Sequence, residues 1–151
     1  MKVHLRQIPD EGLHFDGEEP CPIADLSGDE VVCTGPLRYS LDVGISEGAL
    51  WANGTLAQPV VQKCVACLES FDHEIKVPEF AVVTESGGPE TVDLTPLMRE
   101  DLLLNLPAYP HCDREGGRVC PARALLDQAN QRPSELKEAP PSWSALDDLK
   151  L

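Results

Sequence analysis

The sequence predicts an α+β domain: an antiparallel meander of about five strands, curled toward a barrel, packed by one main helix and closed by short C-terminal helices. Three observations predict it. The stretch PLRYSLDVGI sets Leu37, Tyr39, Leu41, Val43 and Ile45 at alternate positions, the period of a strand with one buried face. The alternation resumes in ALWANGTLAQPVVQ and FDHEIKVPEFAVV with only short turn-rich pieces between, so neighbouring strands are hairpin partners. Beyond them VDLTPLMREDLLLNLP exchanges that pattern for helix signals.

In chain order, KVHLRQ (2–7) alternates Val3 and Leu5 with polar neighbours and reads as a strand, and GLHF (12–15) as another after a Pro9-Asp10 turn. Residues 16–36 are acidic and turn-rich, with Cys21 between two prolines and Cys33 close to Gly35-Pro36, an irregular connection. Two hairpin turns compete next, Ser46-Glu47-Gly48 and Asn53-Gly54. A turn at the second leaves too short a strand before it, so the first is the turn and Gly54 marks a bulge inside a longer strand. Pro59 and Pro78 suit edges or bulges. Thr95 as N-cap, Pro96 in the first helical position and the breaking Leu106-Pro107 bound a helix over 96–105, with Leu94, Leu97, Leu103 and Leu104 facing the sheet. A second helix is expected over 122–131. The reading is therefore one domain over 1–131, a proline-rich linker over 132–141 and a short C-terminal helix over 142–151, carrying Trp143, Leu146 and Leu149 and docking on or near the domain.

With 26 acidic against 12 basic residues the net charge is −14, a field that repels phosphate backbones and attracts basic proteins. A chain of this length buries roughly 68–70% of its extended surface, so folding need not depend on a metal or on disulfides. No apolar run matches a secretory signal or a membrane span, which leads to the expectation of a cytoplasmic protein without membrane contact. In a reducing compartment the six cysteines read first as thiols or ligands, ahead of disulfides.

Cys64-Val-Ala-Cys67 has the bite of a tetrahedral metal clip, because a tight turn can aim both sulfurs at one point. Cys112 and Cys120, beside His111 and around Glu115-Gly116-Gly117, supply a second pair at a wider spacing than the usual two to four residues. Four thiolates, or three with His111, would close a structural Zn²⁺ site joining the hairpin tip to the segment after the helix. The alternative is four buried apolar thiols without metal. A thiol-disulfide oxidoreductase using Cys64 and Cys67 needs a helix N-terminus to lower the thiol pKa, and CLESFDHEI supplies no helix signal. Gly44-Ile45-Ser46-Glu47-Gly48 matches a nucleophile elbow in letters only, since strand rather than helix follows. No phosphate loop or zinc-protease motif is present, and the chain is expected not to be an enzyme. Lys63, Arg114, Arg118 and Arg123, near the cysteines, are the local basic contacts available to a nucleic acid or protein partner.

CVACLESF, VDLTPLMREDLLLNLPAYPHC and GGRVCP, in that order, give the chain a resemblance to the YceD-like family, associated with accumulation of large-subunit ribosomal RNA. The matching positions are Cys64, Cys67, Leu68, Glu69 and Phe71, then Asp93, Leu94, Glu100, Leu106 and Pro107, then Cys112 and Cys120, and the stretch 143–151. Ala66 stands where the family pattern has arginine, and the tail keeps two cysteines where it often has four, with Arg123-Ala124 near the place of the last Cys-Gly. The resemblance implies a non-enzymatic factor in ribosome biogenesis whose partner is large-subunit ribosomal RNA or a basic ribosomal protein. A metal-free protein-interaction adaptor is the other non-enzymatic reading.

Overall fold

The computed structural model describes residues 1–26, 31–85, 90–123, 125, 127 and 128. The chain divides into two compact units, Met1–Cys120 and Pro121–Leu151. In the second, Arg123, Leu125, Asp127 and Gln128 are helical, within the helix expected over 122–131. The expected linker over 132–141 and terminal helix over 142–151 lie outside the described residues.

The first unit is an antiparallel sheet with one helix, the α+β arrangement expected. Its strands are β1 (Lys2–His4), β2 (Leu13–Glu19), β3 (Val31–Cys33), β4 (Leu37–Ser46), β5 (Ala49–Lys63), β6 (Ser70–Glu85) and β7 (Thr91–Asp93), followed by α1 (Thr95–Leu104). The main sheet runs β2-β4-β5, with β6 on the far edge of β5 and β3 continuing the edge that β4 leaves. β2 and β6 do not pair, so the sheet is open and the expected curl toward a barrel is not found. β1 does not join it either: it forms a ribbon with β7 that leads into α1. Residues Leu5–Gln7, expected as strand, make a 3₁₀ turn.

The hairpin between β4 and β5 turns at Glu47-Gly48, both with positive φ (52° and 80°), the backbone of a type I′ turn. Register fixes what is buried. From Leu50 to Cys64 the even-numbered side chains of β5 face inward, including Leu50, Ala52, Leu56, Val60 and the glutamines Gln58 and Gln62. In β6 the buried parity changes from Phe71, Ile75 and Val77 to Phe80, because the pairing with β5 shifts between Gly54 and Leu56. The bulge is therefore where Gly54 suggested, but its extra residue belongs to β6, at Pro78-Glu79, where the missing proline N–H costs no ladder bond. Gly54 has a separate reason: a Cβ there would run into the Ser40 carbonyl of β4. Pro59 lies inside β5, opposite the 34–36 passage from β3 to β4, and its carbonyl accepts from Thr34 N at 3.1 Å.

The segment 16–36, expected to be irregular, carries most of β2 and all of β3, and Cys21 is bonded to Cys33. This corrects the expectation that thiols take precedence over disulfides for this pair. β2 and β3 end against the adjacent strands β4 and β5, which leaves the two Cα atoms 6.5 Å apart, within bridging range.

α1 packs on β5 and β6. Leu94, Met98 and Leu102, spaced four apart, are fully buried, while Leu97 and Leu103 flank the core. Leu104 is 74% exposed, contrary to the inward face expected for it. Thr95 is not the cap. Leu94 holds the N-cap position without a side-chain bond, Asp93 Oδ1 accepts the Thr95 N–H at 2.9 Å, and Thr95 Oγ1 bonds the Met1 amino group. Arg99 reaches from the helix to Asp25 and the Pro22 carbonyl, holding the 20–26 turn.

Candidate metal centre

Inward parity along β5 carries one step beyond the strand, which is why Cys64 is buried. The turn from β5 to β6 then closes tightly: Cys64 N donates to Glu69 O and Leu68 N to Cys64 O, each at 2.9 Å, and Leu68 takes φ +62°. That fold-back puts Cys67 on the same side as Cys64. The segment after α1 is drawn to this turn by a bond from Val65 N to Pro110 O, 3.0 Å. It then makes a compact turn of its own. Glu115 N donates to His111 O at 2.9 Å, Arg118 N to Cys112 O at 3.1 Å, and the Glu115 carboxylate accepts His111 N at 2.7 Å. Gly116 lies so near Phe71 of β6 that a Cβ would stand 2.6 Å from the ring. Seven intervening residues are thereby folded back, and Cys120 returns beside Cys112.

The ligand atoms of Cys64, Cys67, Cys112 and Cys120 all lie within 4.8 Å of one another. Sulfur contacts cross between the two stretches: Cys64 to Cys120 at 4.0 Å and Cys67 to Cys112 at 3.8 Å. A tetrahedral ion with sulfur at ~2.3 Å requires sulfur–sulfur edges of about 3.8 Å, whereas a disulfide requires ~2.05 Å. The four free thiols thus fit a four-sulfur metal set, and together they can hold an ion. His111 stands outside the group, with its Nδ1 4.0 Å from Asp113 Oδ1.

The surroundings favour thiolate at one sulfur and oppose it at another. Burial pushes the Cys64 thiol up, but the backbone N–H groups of Cys112, Cys67 and Ala66 outweigh burial and lower it to about 6. Burial dominates at Cys112, whose pKa is raised. Arg118, itself exposed, lies against Cys112 as a hydrogen-bond donor and also bonds Glu69 Oε2 at 3.1 Å. Lys63 and Arg123 are exposed and have partners of their own, and Arg114 is exposed on the His111–Glu115 turn. Sequence reasoning missed Phe71 and Gly116 as the contact that seats the tail turn, although Gly116-Gly117 beside Cys112 was a signal for close approach. Among the described residues no helix is long and apolar enough to cross a membrane.

No protein-family profile, no curated protein and no solved structure matches the chain at a significant level, so the reading of this centre stands on its own geometry and on sequence motifs.

Proposed function

We propose that Cys64, Cys67, Cys112 and Cys120 hold a structural Zn²⁺ as thiolates, in a non-enzymatic factor that supports accumulation of large-subunit ribosomal RNA. The observation that carries the metal reading is the approach of four sulfurs from two distant stretches at tetrahedral separations. Four protein ligands leave no open position for a reacting water, the mark of a structural site. Thiolate donors select zinc over magnesium or calcium, which take oxygen. The ribosomal reading is supported by the ordered resemblance to the YceD-like family, and the charge of −14 makes a basic ribosomal protein a readier direct partner than bare RNA.

A disulfide-exchange role is the weaker reading. It needs a thiolate that a substrate disulfide can reach. Cys64, Cys112 and Cys120 are buried, and only Cys67 is partly exposed.

Elemental analysis of the full chain purified without chelator tests the metal reading. The expected result is one zinc per chain, lost in Cys112→Ser. Metal-free protein with four thiols open to a thiol reagent overturns it. The ribosomal reading is tested separately by pull-down and salt titration. Large-subunit components should co-purify, with weak binding of bare RNA. A steep salt slope with RNA alone would make RNA the direct partner. Unchanged large-subunit RNA levels in cells lacking the protein would sink the ribosomal role.

A further inference from the structure

We infer that the cleft over Trp51, on the outward face of the sheet, takes an arginine side chain of a basic partner protein. The inference rests on the proposed function for the identity of that partner and on nothing else in it, since the metal centre stands at the other end of β5. The cleft measures about 510 Å³ and is lined by Glu11, Leu13 and His14 around the start of β2, Asp42 of β4, and Trp51 and Asn53 of β5.

Register builds it. His14, Asp42 and Asn53 stand side by side across β2, β4 and β5, and in the next outward row Gly44, Trp51 and Val83 do the same across β4, β5 and β6. Residues two apart on one strand share a face about 7 Å apart, so the polar row runs alongside the indole. Gly44 lets the ring lie down: a Cβ there would stand 2.3 Å from Trp51 Cζ2, 2.5 Å from Cε2 and 2.7 Å from Nε1. The indole therefore rests on the Gly44 backbone, partly exposed, and its cross-strand neighbour Val83 is 72% exposed. A tryptophan presented this way on a wet face is the residue type that interfaces use.

Charge selects the occupant. No lysine or arginine lines the cleft. His14 lies between Asp42 at 2.6 Å and Asp16 at 3.0 Å, so even its protonated form sets one positive charge against the three carboxylates of Glu11, Asp16 and Asp42. A phosphate backbone is repelled there and a cation is drawn in. Among cations the guanidinium fits both rows, because its plane stacks on the indole while its fork of N–H donors reaches a carboxylate or the Asn53 amide oxygen. The ammonium of lysine has no plane to stack. The apolar stem of the arginine can cover Val83.

Fluorescence anisotropy of the full chain with a labelled peptide alternating glycine and arginine tests this. The controls are the same peptide with lysine, or with citrulline, which keeps the shape and loses the charge, and a poly-uridine RNA. Affinity should fall from arginine to lysine to citrulline. A chain of net charge −14 attracts cations over its whole surface, so the variants decide. Trp51→Leu leaves the charge unchanged and should weaken the arginine peptide about tenfold, bringing arginine and lysine level. Glu11→Gln, at an exposed side chain ahead of β2, should weaken it about threefold, and Glu100→Gln, the same loss of charge on α1, should not. Urea unfolding reports which variants fold, and if Trp51→Leu does not, the Glu11→Gln and Glu100→Gln pair decides alone. Equal binding by the parent, Trp51→Leu and Glu11→Gln, or displacement of the peptide by poly-uridine, overturns the site. Trp51-dependent peptide binding without co-purifying large-subunit components keeps the cleft and removes the ribosomal reading. Large-subunit components recovered equally with Trp51→Leu keep that reading and overturn the cleft.

Discussion

Replacing Gly116 with alanine adds a methyl group where the tail turn leans on the sheet. Its Cβ would stand 2.6 Å from Phe71 Cδ2 and 3.0 Å from the Cys112 carbonyl oxygen, where ordinary contact begins near 3.4 Å. The ring or the turn must give by about 0.8 Å, and Phe71 is itself buried, so neither gives freely. Overpacking of this kind costs about 1–3 kcal/mol. The push also reaches the metal centre, because the Cys112 carbonyl accepts Arg118 N and fixes the turn that brings Cys120 back. Urea unfolding of zinc-loaded protein should show the loss, and a competing chelator should remove zinc more readily. Gly117→Ala is the contrast: nothing lies within 4 Å of its Cβ, and the cost is only that of holding alanine at φ +64°, about 1 kcal/mol. Adding Phe71→Leu, which makes room, should relieve Gly116→Ala with a coupling of about 0.5–3 kcal/mol and leave Gly117→Ala additive. Strict additivity of Gly116→Ala with Phe71→Leu, or a Gly116→Ala protein as stable as the parent, would refute the seating of the turn on Phe71.

Met98→Ala should cost about 2–5 kcal/mol in thermal or urea unfolding, against less than about 0.5 kcal/mol for Leu104→Ser; the reverse order would mean that α1 packs by another face. His14 is held between Asp42 at 2.6 Å and Asp16 at 3.0 Å on the exposed face of β2 and β4, and the bond to Asp42 raises its pKa above 6.5, against some desolvation and with help from Asp16. Because the folded value is the higher one, this pairing contributes fully below the unfolded pKa and is lost as pH rises through the folded pKa. Proton NMR should place the His14 midpoint above 6.5 and bring it down in Asp42→Asn; an unmoved midpoint would dissociate the pair.

The strands were legible where one face is buried and the other is wet. In β4 and β5, alternation located the elements and, through Glu47-Gly48, the turn between them. It failed where pairing, not burial, makes the strand. β3 has three residues, none fully buried, and exists because β5 outruns β4 and leaves an edge to fill. Nothing local in Val31–Cys33 states this. β1 failed in the opposite sense: Lys2–His4 was recognisable as extended, but its partner β7 is at the far end of the sheet region, so the choice of a separate ribbon is tertiary. In α1 the run of three leucines at 102–104 hid the stripe. Only Leu94, Met98 and Leu102 share the inward line, and a helix cannot turn Leu104 onto it as well.

The cysteine centre shows a different limit. The Cys64-x-x-Cys67 turn announces itself, but Cys112-x7-Cys120 is too wide to read as a clip if the intervening residues are imagined extended. They are not extended. The Arg118 N bond to Cys112 O shortens the path, and Gly116 against Phe71 sets its direction. Sulfurs then meet across the two stretches, Cys64 with Cys120 and Cys67 with Cys112, one partner from each. An ion held by these four sulfurs is therefore a cross-link between the hairpin turn and the tail, not a clip within either. It follows that neither stretch alone offers the closed tetrahedral set, and that tight one-to-one metal binding requires the folded unit. A peptide covering only residues 63–71 should bind zinc no better than other two-cysteine peptides, which separates a site encoded by the fold from one encoded by the motif.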